Sequence, residues 1–210
     1  MSNLALRTLS GLTLILIALA AAFLGGYTFA VLAAAAAVVM YAEWRKITAG
    51  WGFVWSVAGF LYALFPALAL LWIRDRADSG FELLIWVFII TWSTDIGAYF
   101  AGRAIGGPKL APFISPNKTI SGLFGGIISA GLAGFAWAQA THLPPLLIWV
   151  APLLAVAAQV GDLFESWMKR KAGVKDSGTW LPGHGGALDR LDGLVPVAVL
   201  TAALVLGGYA

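Results

Sequence analysis

The sequence predicts an all-α fold, a polytopic transmembrane helical bundle of about seven spans with its N-terminus in the cytoplasm. Three observations carry that expectation. Apolar residues fill 60% of the 210 positions and charged residues only 11%, where a soluble domain carries about 25% charged residues. The apolar residues gather into long runs, and mean hydropathy reaches +0.88. Finally, Lys and Arg cluster on alternate connections rather than on all of them. Cysteine is absent, which excludes disulfide scaffolds and thiolate metal sites.

A spanning helix needs about 20 mainly apolar residues. The runs at 8–25, 27–43, 51–73, 82–102, 120–140, 145–168 and 191–210 meet that need. The first exceeds the core of about 7–15 residues in a secretory signal, and a second run follows directly, so it reads as an uncleaved span. The second carries an alanine tract around Val31–Val39 that suits close packing in lipid. Pro66 lies in the third run and Pro144-Pro145 open the sixth; membrane helices tolerate both. Small residues such as Gly122, Gly126 and Ala130 on the fifth suggest a face for a homodimer. No repeat or linker divides the chain. It reads as one integral membrane domain over 1–210, with N-terminal helices at 1–80 and the chemically equipped half at 81–210.

Orientation follows from the cations. With the N-terminus and Arg7 inside, eleven of the 13 Lys and Arg fall on cytoplasmic segments. Only Arg74 and Arg76 fall outside, beside Asp75 and Asp78. Tryptophans such as Trp44, Trp51, Trp72 and Trp167 stand near span ends, as interfacial anchors do.

Two cytoplasmic segments hold the residues capable of chemistry. One runs from Asp95 through Gly102-Arg103 to Ser115-Pro116-Asn117-Lys118-Thr119. The other runs from Gly161-Asp162 through Lys169-Arg170, Lys175-Asp176 and Pro182-Gly183-His184-Gly185-Gly186 to Asp189-Arg190-Leu191-Asp192. Asp162 lies inside the end of an apolar span, where a lone carboxylate is expensive and marks function by default. On a helix it shares a face with Glu165, Ser166 and Lys169, while Asp189 and Asp192 face together at the start of the last span. Carboxylates from two helix ends form an all-oxygen set suited to Mg²⁺, which keeps waters and binds substrate phosphates. The bland alternative makes Asp189 a helix cap and Asp162 the partner of Lys169.

Lys175 and Arg190, each beside an aspartate, are placed to hold phosphate oxygens. Asn117 and Lys118 open a helix whose N-terminus attracts anions. Gly183, Gly185 and Gly186 let backbone N–H groups approach a ligand. His184 between them serves either a phosphate or a carbonyl, and His142 reads as structural. Lys171 is expected merely to meet anionic lipid headgroups. No Walker-type loop or G-x-G-x-x-G stands in the sequence, excluding ordinary soluble nucleotide folds. No span carries several ionisable groups at its middle, which argues against an ion-coupled carrier.

Taken together, Ser166-x-Met168-Lys169-Arg170, Lys175-Asp176, Leu181-Pro182-x-His184-Gly185-Gly186 and Asp189-Arg190-Leu191-Asp192 resemble the signature of phosphatidate cytidylyltransferases. Asp95-x-Gly97-Ala98-Tyr99 with Gly102-Arg103 and Ser115-Pro116-Asn117-Lys118-Thr119 match its upstream companions, so the resemblance covers about residues 90–195. It departs at Ser121, where the family commonly has Glu or Gln, and at Ala187, where a bulkier apolar residue is usual. The resemblance implies an enzyme joining phosphatidate to CTP with release of pyrophosphate, dependent on Mg²⁺ and with room for a second cation. Its partners would be CTP, phosphatidate and membrane lipids, with no nucleic acid. Its place would be the inner membrane of a prokaryote, working on the cytoplasmic side. Asp162, Asp189, Lys169 and Asp192 become the catalytic candidates, with Asp162 and Asp189 as metal ligands. Asn117, Lys118, Ser166, Lys175, Asp176, His184, Gly185, Gly186, Arg190, Asp95 and Arg103 become the candidates for binding substrate. The alternatives are a related CTP-dependent transferase acting on another lipid phosphate or a polyprenol, and a membrane transporter.

Overall fold

The computed structural model describes residues 3–178, 180 and 185–208. In chain order the elements are α1 (Asn3–Leu24), α2 (Gly26–Ile47), α3 (Phe53–Arg74), α4 (Gly80–Ile105), β1 (Lys109–Ala111), β2 (Ser115–Thr119), α5 (Ile120–Ala140), α6 (Leu146–Lys171), α7 (Leu188–Leu191) and α8 (Leu194–Leu206). The chain is an integral membrane protein. Five helices, α2 to α6, are long and apolar enough to span, while Thr8–Leu24 and α8 are shorter apolar helices. The starts and ends of α3, α5 and α6 follow the runs of the sequence closely, and Pro145 stands as the N-cap of α6.

Two expectations need correction. The described residues are not all helical, because β1 and β2 form an antiparallel hairpin that sets Lys109 opposite Thr119 and Ala111 opposite Ser115. Open sheet edges are barred only where backbone meets hydrocarbon, and this hairpin lies in a connection between two spans. Gly106 (φ 67°) and Gly107 (φ 97°) end α4 in the left-handed region and turn the chain into it. Thr119 then starts α5, its hydroxyl accepting from the Gly122 N–H at 3.0 Å. The last apolar run is likewise not one continuous helix. Asp192 and Gly193 divide it into the four-residue α7 and the thirteen-residue α8, with the Asp192 carboxylate taking the Gly193 N–H at 2.8 Å.

Small residues pack α5 inside the chain. A Cβ on Gly125 would stand 2.2 Å from the Ala101 methyl and 2.7 Å from the Gly97 carbonyl oxygen. One on Gly126 would stand 2.8 Å from the Thr94 carbonyl. Gly122, Gly126 and Ala130 are therefore buried against α4 and α6. This corrects their assignment to a homodimer face: the stripe is already filled. Arg74 is similarly structural, closing the end of α1 by donating from Nε to the Ala22 carbonyl at 2.6 Å and from a terminal nitrogen to Phe23 at 3.1 Å. One apolar core joins α4, α5, α6 and α8 with buried residues of α1, α2 and α3. A second, built on Met40, Trp44, Met168, Leu188 and Val195, lies beneath α7 and supports the polar face described next.

Candidate active site

Four elements bring the charged residues together. The alternation of β2 turns Asn117 outward and Lys118 inward. Lys118 Nζ reaches Asp162 Oδ2 on α6 at 2.6 Å. One helical turn links Asp162 to Ser166, whose hydroxyl donates to Oδ1 at 3.3 Å. The next places Lys169 Nζ 2.6 Å from Glu165 Oε2 and 2.5 Å from Asp189 Oδ1 of α7. The shared face expected for 162, 165, 166 and 169 is thus present. The lysine pairings differ from the bland alternative: Asp162 pairs with Lys118, and Lys169 with Glu165 and Asp189.

Asp189 is held from a second direction. Its Oδ2 accepts the backbone N–H of Ser177 at 3.0 Å and of Gly186 at 2.9 Å. Burial works against its charge, but the bonds from Lys169, Gly186 and Ser177 prevail and bring it down to about 2. Asp192 has other neighbours. Burial first, then the charges of Asp162 and Glu165, with Asp95 adding less, push it well above the ordinary carboxylate range. Asp189 and Asp192, three residues apart, therefore have different neighbours. Asp95, in the second half of α4, lies within electrostatic reach of Asp162, Lys118 and Arg190.

The other candidates sit further out. Lys175 and Asp176 are exposed on the connection after α6, and Asn117 is exposed on the hairpin. Arg103 is exposed and donates to the Tyr99 hydroxyl at 3.0 Å. Gly185 has φ 82° and packs beside the Asp189 carboxylate, where a Cβ would stand 2.8 Å from Oδ2. His184 and Gly183 lie outside the described residues. Ser121, the departure from the family pattern, donates to the Gly106 carbonyl at 2.5 Å and bonds the Thr119 hydroxyl at 2.9 Å. It fastens the start of α5 to the end of α4 and to the last residue of β2.

Sequence reasoning missed two features. Glu43 of α2 is fully buried, and its carboxylate accepts from Ser177, Ala187 and Leu188. The only local signal was an acid within the last turn of an apolar run, masked by Arg45 and Lys46 beside it. Lys171 does more than meet headgroups. Its ammonium lies 4.4, 5.1 and 5.4 Å from the ring centres of Trp51, Trp167 and Trp55, in contact geometry for cation–π attraction.

The donor set fits a hard divalent cation, since it offers carboxylate oxygens and no sulfur. Among the described residues no three acidic or histidine side chains converge to cage a metal unaided.

The chain is similar in sequence to known proteins. The sequence pattern of the Cytidylyltransferase family matches residues 48–206. The phosphatidate cytidylyltransferase of Brucella suis is 47% identical over 178 residues, covering 82% of this chain and 63% of that protein. That of Rickettsia bellii is 36% identical over 206 residues, covering 94% of this chain and 88% of its own. The Bacillus subtilis enzyme of the same name is 45% identical over 123 residues, or 57% of this chain and 46% of that one. The match to the Brucella proteins thus takes in less than two thirds of their length.

Proposed function

We propose, from the premise that this chain belongs to the Cytidylyltransferase family, that it is a phosphatidate cytidylyltransferase working at the cytoplasmic face of a bacterial inner membrane. The observation that carries the reading is the double pairing of Lys118 with Asp162 and of Lys169 with Asp189, drawn from the hairpin, α6 and α7 to one face. Such a face holds positive charge ready for phosphates without leaving it unbalanced.

In the reaction a phosphate oxygen of phosphatidate forms a bond to the α-phosphorus of CTP. The bond from that phosphorus to the bridging oxygen breaks, and pyrophosphate leaves. The attacking oxygen is already anionic near neutral pH, so the protein must chiefly align reactants and neutralise charge. An ammonium has three donors. Lys118 commits one to Asp162, and Lys169 commits two, so both keep N–H groups for phosphate oxygens. Asp189, lowered to about 2 by Lys169 and two backbone N–H groups, favours its anionic form. Asp162 has lone pairs beyond those used by Lys118 and Ser166. Mg²⁺, held by Asp162 and Asp189 when bound, would supply charge stabilisation on the leaving pyrophosphate. Lys175, Arg190, Asn117 and His184 are proposed to complete the hold on CTP. Asp95, Arg103, Asp176, Gly185 and Gly186 are proposed to complete the surroundings of the substrates. The acyl chains can stay in the bilayer while the headgroup is worked on.

The test is product formation. Purified protein given CTP, phosphatidate and Mg²⁺ should yield CDP-diacylglycerol and pyrophosphate in equal amounts; an absence of liponucleotide would refute the proposal.

A further inference from the structure

Glu43 is a buried acid that no step of the transfer uses, yet it is joined to the site by three bonds. Its Oε1 accepts the Ala187 N–H at 3.0 Å, and its Oε2 accepts the Leu188 N–H at 2.9 Å and the Ser177 hydroxyl at 3.0 Å. Asp189 takes the remaining groups of the same two segments, the N–H of Gly186 and the N–H of Ser177. Three successive backbone donors, 186 to 188, are thus divided between two carboxylates. Ser177 is held by both at once, through its N–H and its hydroxyl. The other oxygen of Asp189 carries Lys169. One continuous network therefore runs from α2, through residues 177 and 186–188, to the lysine of α6.

The glycines at this crossing are explained by Glu43. A Cβ on Gly178 would stand 2.4 Å from Glu43 Oε1. One on Gly186 would stand 1.9 Å from the Ser177 hydroxyl oxygen and 2.5 Å from Glu43 Oε2. The carboxylate cannot retreat to make room, because both oxygens are fixed by backbone donors. A glutamine at 43 has the same shape but presents an NH₂ where one of those N–H groups needs an acceptor, leaving two donors facing each other.

We infer that Glu43 is a positioning residue for the transfer, setting the register of residues 177 and 186–188 so that Asp189 holds Lys169 in its working place. The inference rests on the transferase reading, and it assigns to α2 a part in the site that lies outside the stretch matched by the family pattern. A small displacement of aligned groups costs about a hundredfold in rate, while binding of the lipid, which enters from the bilayer, is untouched.

The experiment compares wild type with Glu43→Gln in the same detergent. It measures amide hydrogen exchange, thermal stability, and kcat and KM for each substrate at saturating Mg²⁺. Exchange over 186–188 should accelerate about tenfold while the amides of α5 stay protected. The kcat should fall about a hundredfold with the phosphatidate KM held within about twofold. Unchanged exchange at 186–188, or faster exchange with kcat near wild type, overturns the inference. If Glu43→Gln does not fold, Gly178→Ala presses a methyl on the same carboxylate and is read by the same two criteria. If wild type turns over no phosphatidate, the transferase reading falls; exchange then decides the clamp alone, and unchanged exchange overturns it.

Discussion

Replacing Asp162 by Asn separates a working carboxylate from a structural one. An amide has nearly the volume of a carboxylate. Its oxygen can keep facing Lys118, 2.6 Å from the present Oδ2, while its NH₂ turns to the Ser166 hydroxyl, now 3.3 Å from Oδ1. What disappears is the negative charge. The Asp162 and Lys118 side chains are 32% and 20% exposed, so the pair resembles a partly screened ion pair, and its loss costs about 1 kcal/mol. Against that, the same charge disfavours ionisation of Asp192, and removing it relieves that penalty. The two effects oppose each other, and the melting temperature should move by no more than about 4 °C. Turnover should behave differently. A fixed charge serving the leaving pyrophosphate, directly or through Mg²⁺, is worth about two to three orders of magnitude. The assay is turnover against Mg²⁺ concentration beside a thermal melt of the same preparation. An Asn variant that melts far below wild type, yet keeps wild-type turnover and Mg²⁺ dependence in its folded fraction, would refute the reasoning.

Lys171→Ala should cost about 1 kcal/mol of stability, because it removes an ammonium from three tryptophan faces. Its turnover should stay at the wild-type level; lost turnover with unchanged stability would place Lys171 in the chemistry instead. Gly125→Val should destabilise by about 3 kcal/mol, since a Cβ there meets the Ala101 methyl and the Gly97 carbonyl. A melt equal to wild type would contradict the α4–α5 crossing. Topology reporters near residues 110 and 175 should read the same, cytoplasmic side, and one near residue 77 the opposite side. Opposite readings at 110 and 175 would separate Lys118 from Asp162 and dissolve the site.

Long apolar runs and one-turn spacing were legible because each depends on neighbours in sequence. Hydropathy located α2 to α6, and the helical period put Asp162, Glu165, Ser166 and Lys169 on one face. Pairing across elements was not legible. Nothing local to Lys118 says that β2 will carry it to Asp162, and hydropathy, which reads spans, is silent on a short hairpin between two of them. Asp189 and Asp192, three apart, read as one pair, but α7 ends between them and gives them different neighbours. Small residues on α5 announce close packing without naming the partner, which proved to be α4 and α6 rather than a second copy. Glu43 was hidden for the same reason: its donors lie 134 to 145 residues away.

The central claim is that this face transfers the cytidylyl group of CTP to a lipid phosphate, and the identity of the released group tests it most directly. Purified protein is supplied with CTP labelled in its γ-phosphate, phosphatidate and Mg²⁺, with a polyprenol in a parallel reaction. The account predicts label released as pyrophosphate, one for each CDP-diacylglycerol formed, and no label entering lipid. Label transferred to the polyprenol with release of CDP, or no CTP consumed with phosphatidate, would contradict it.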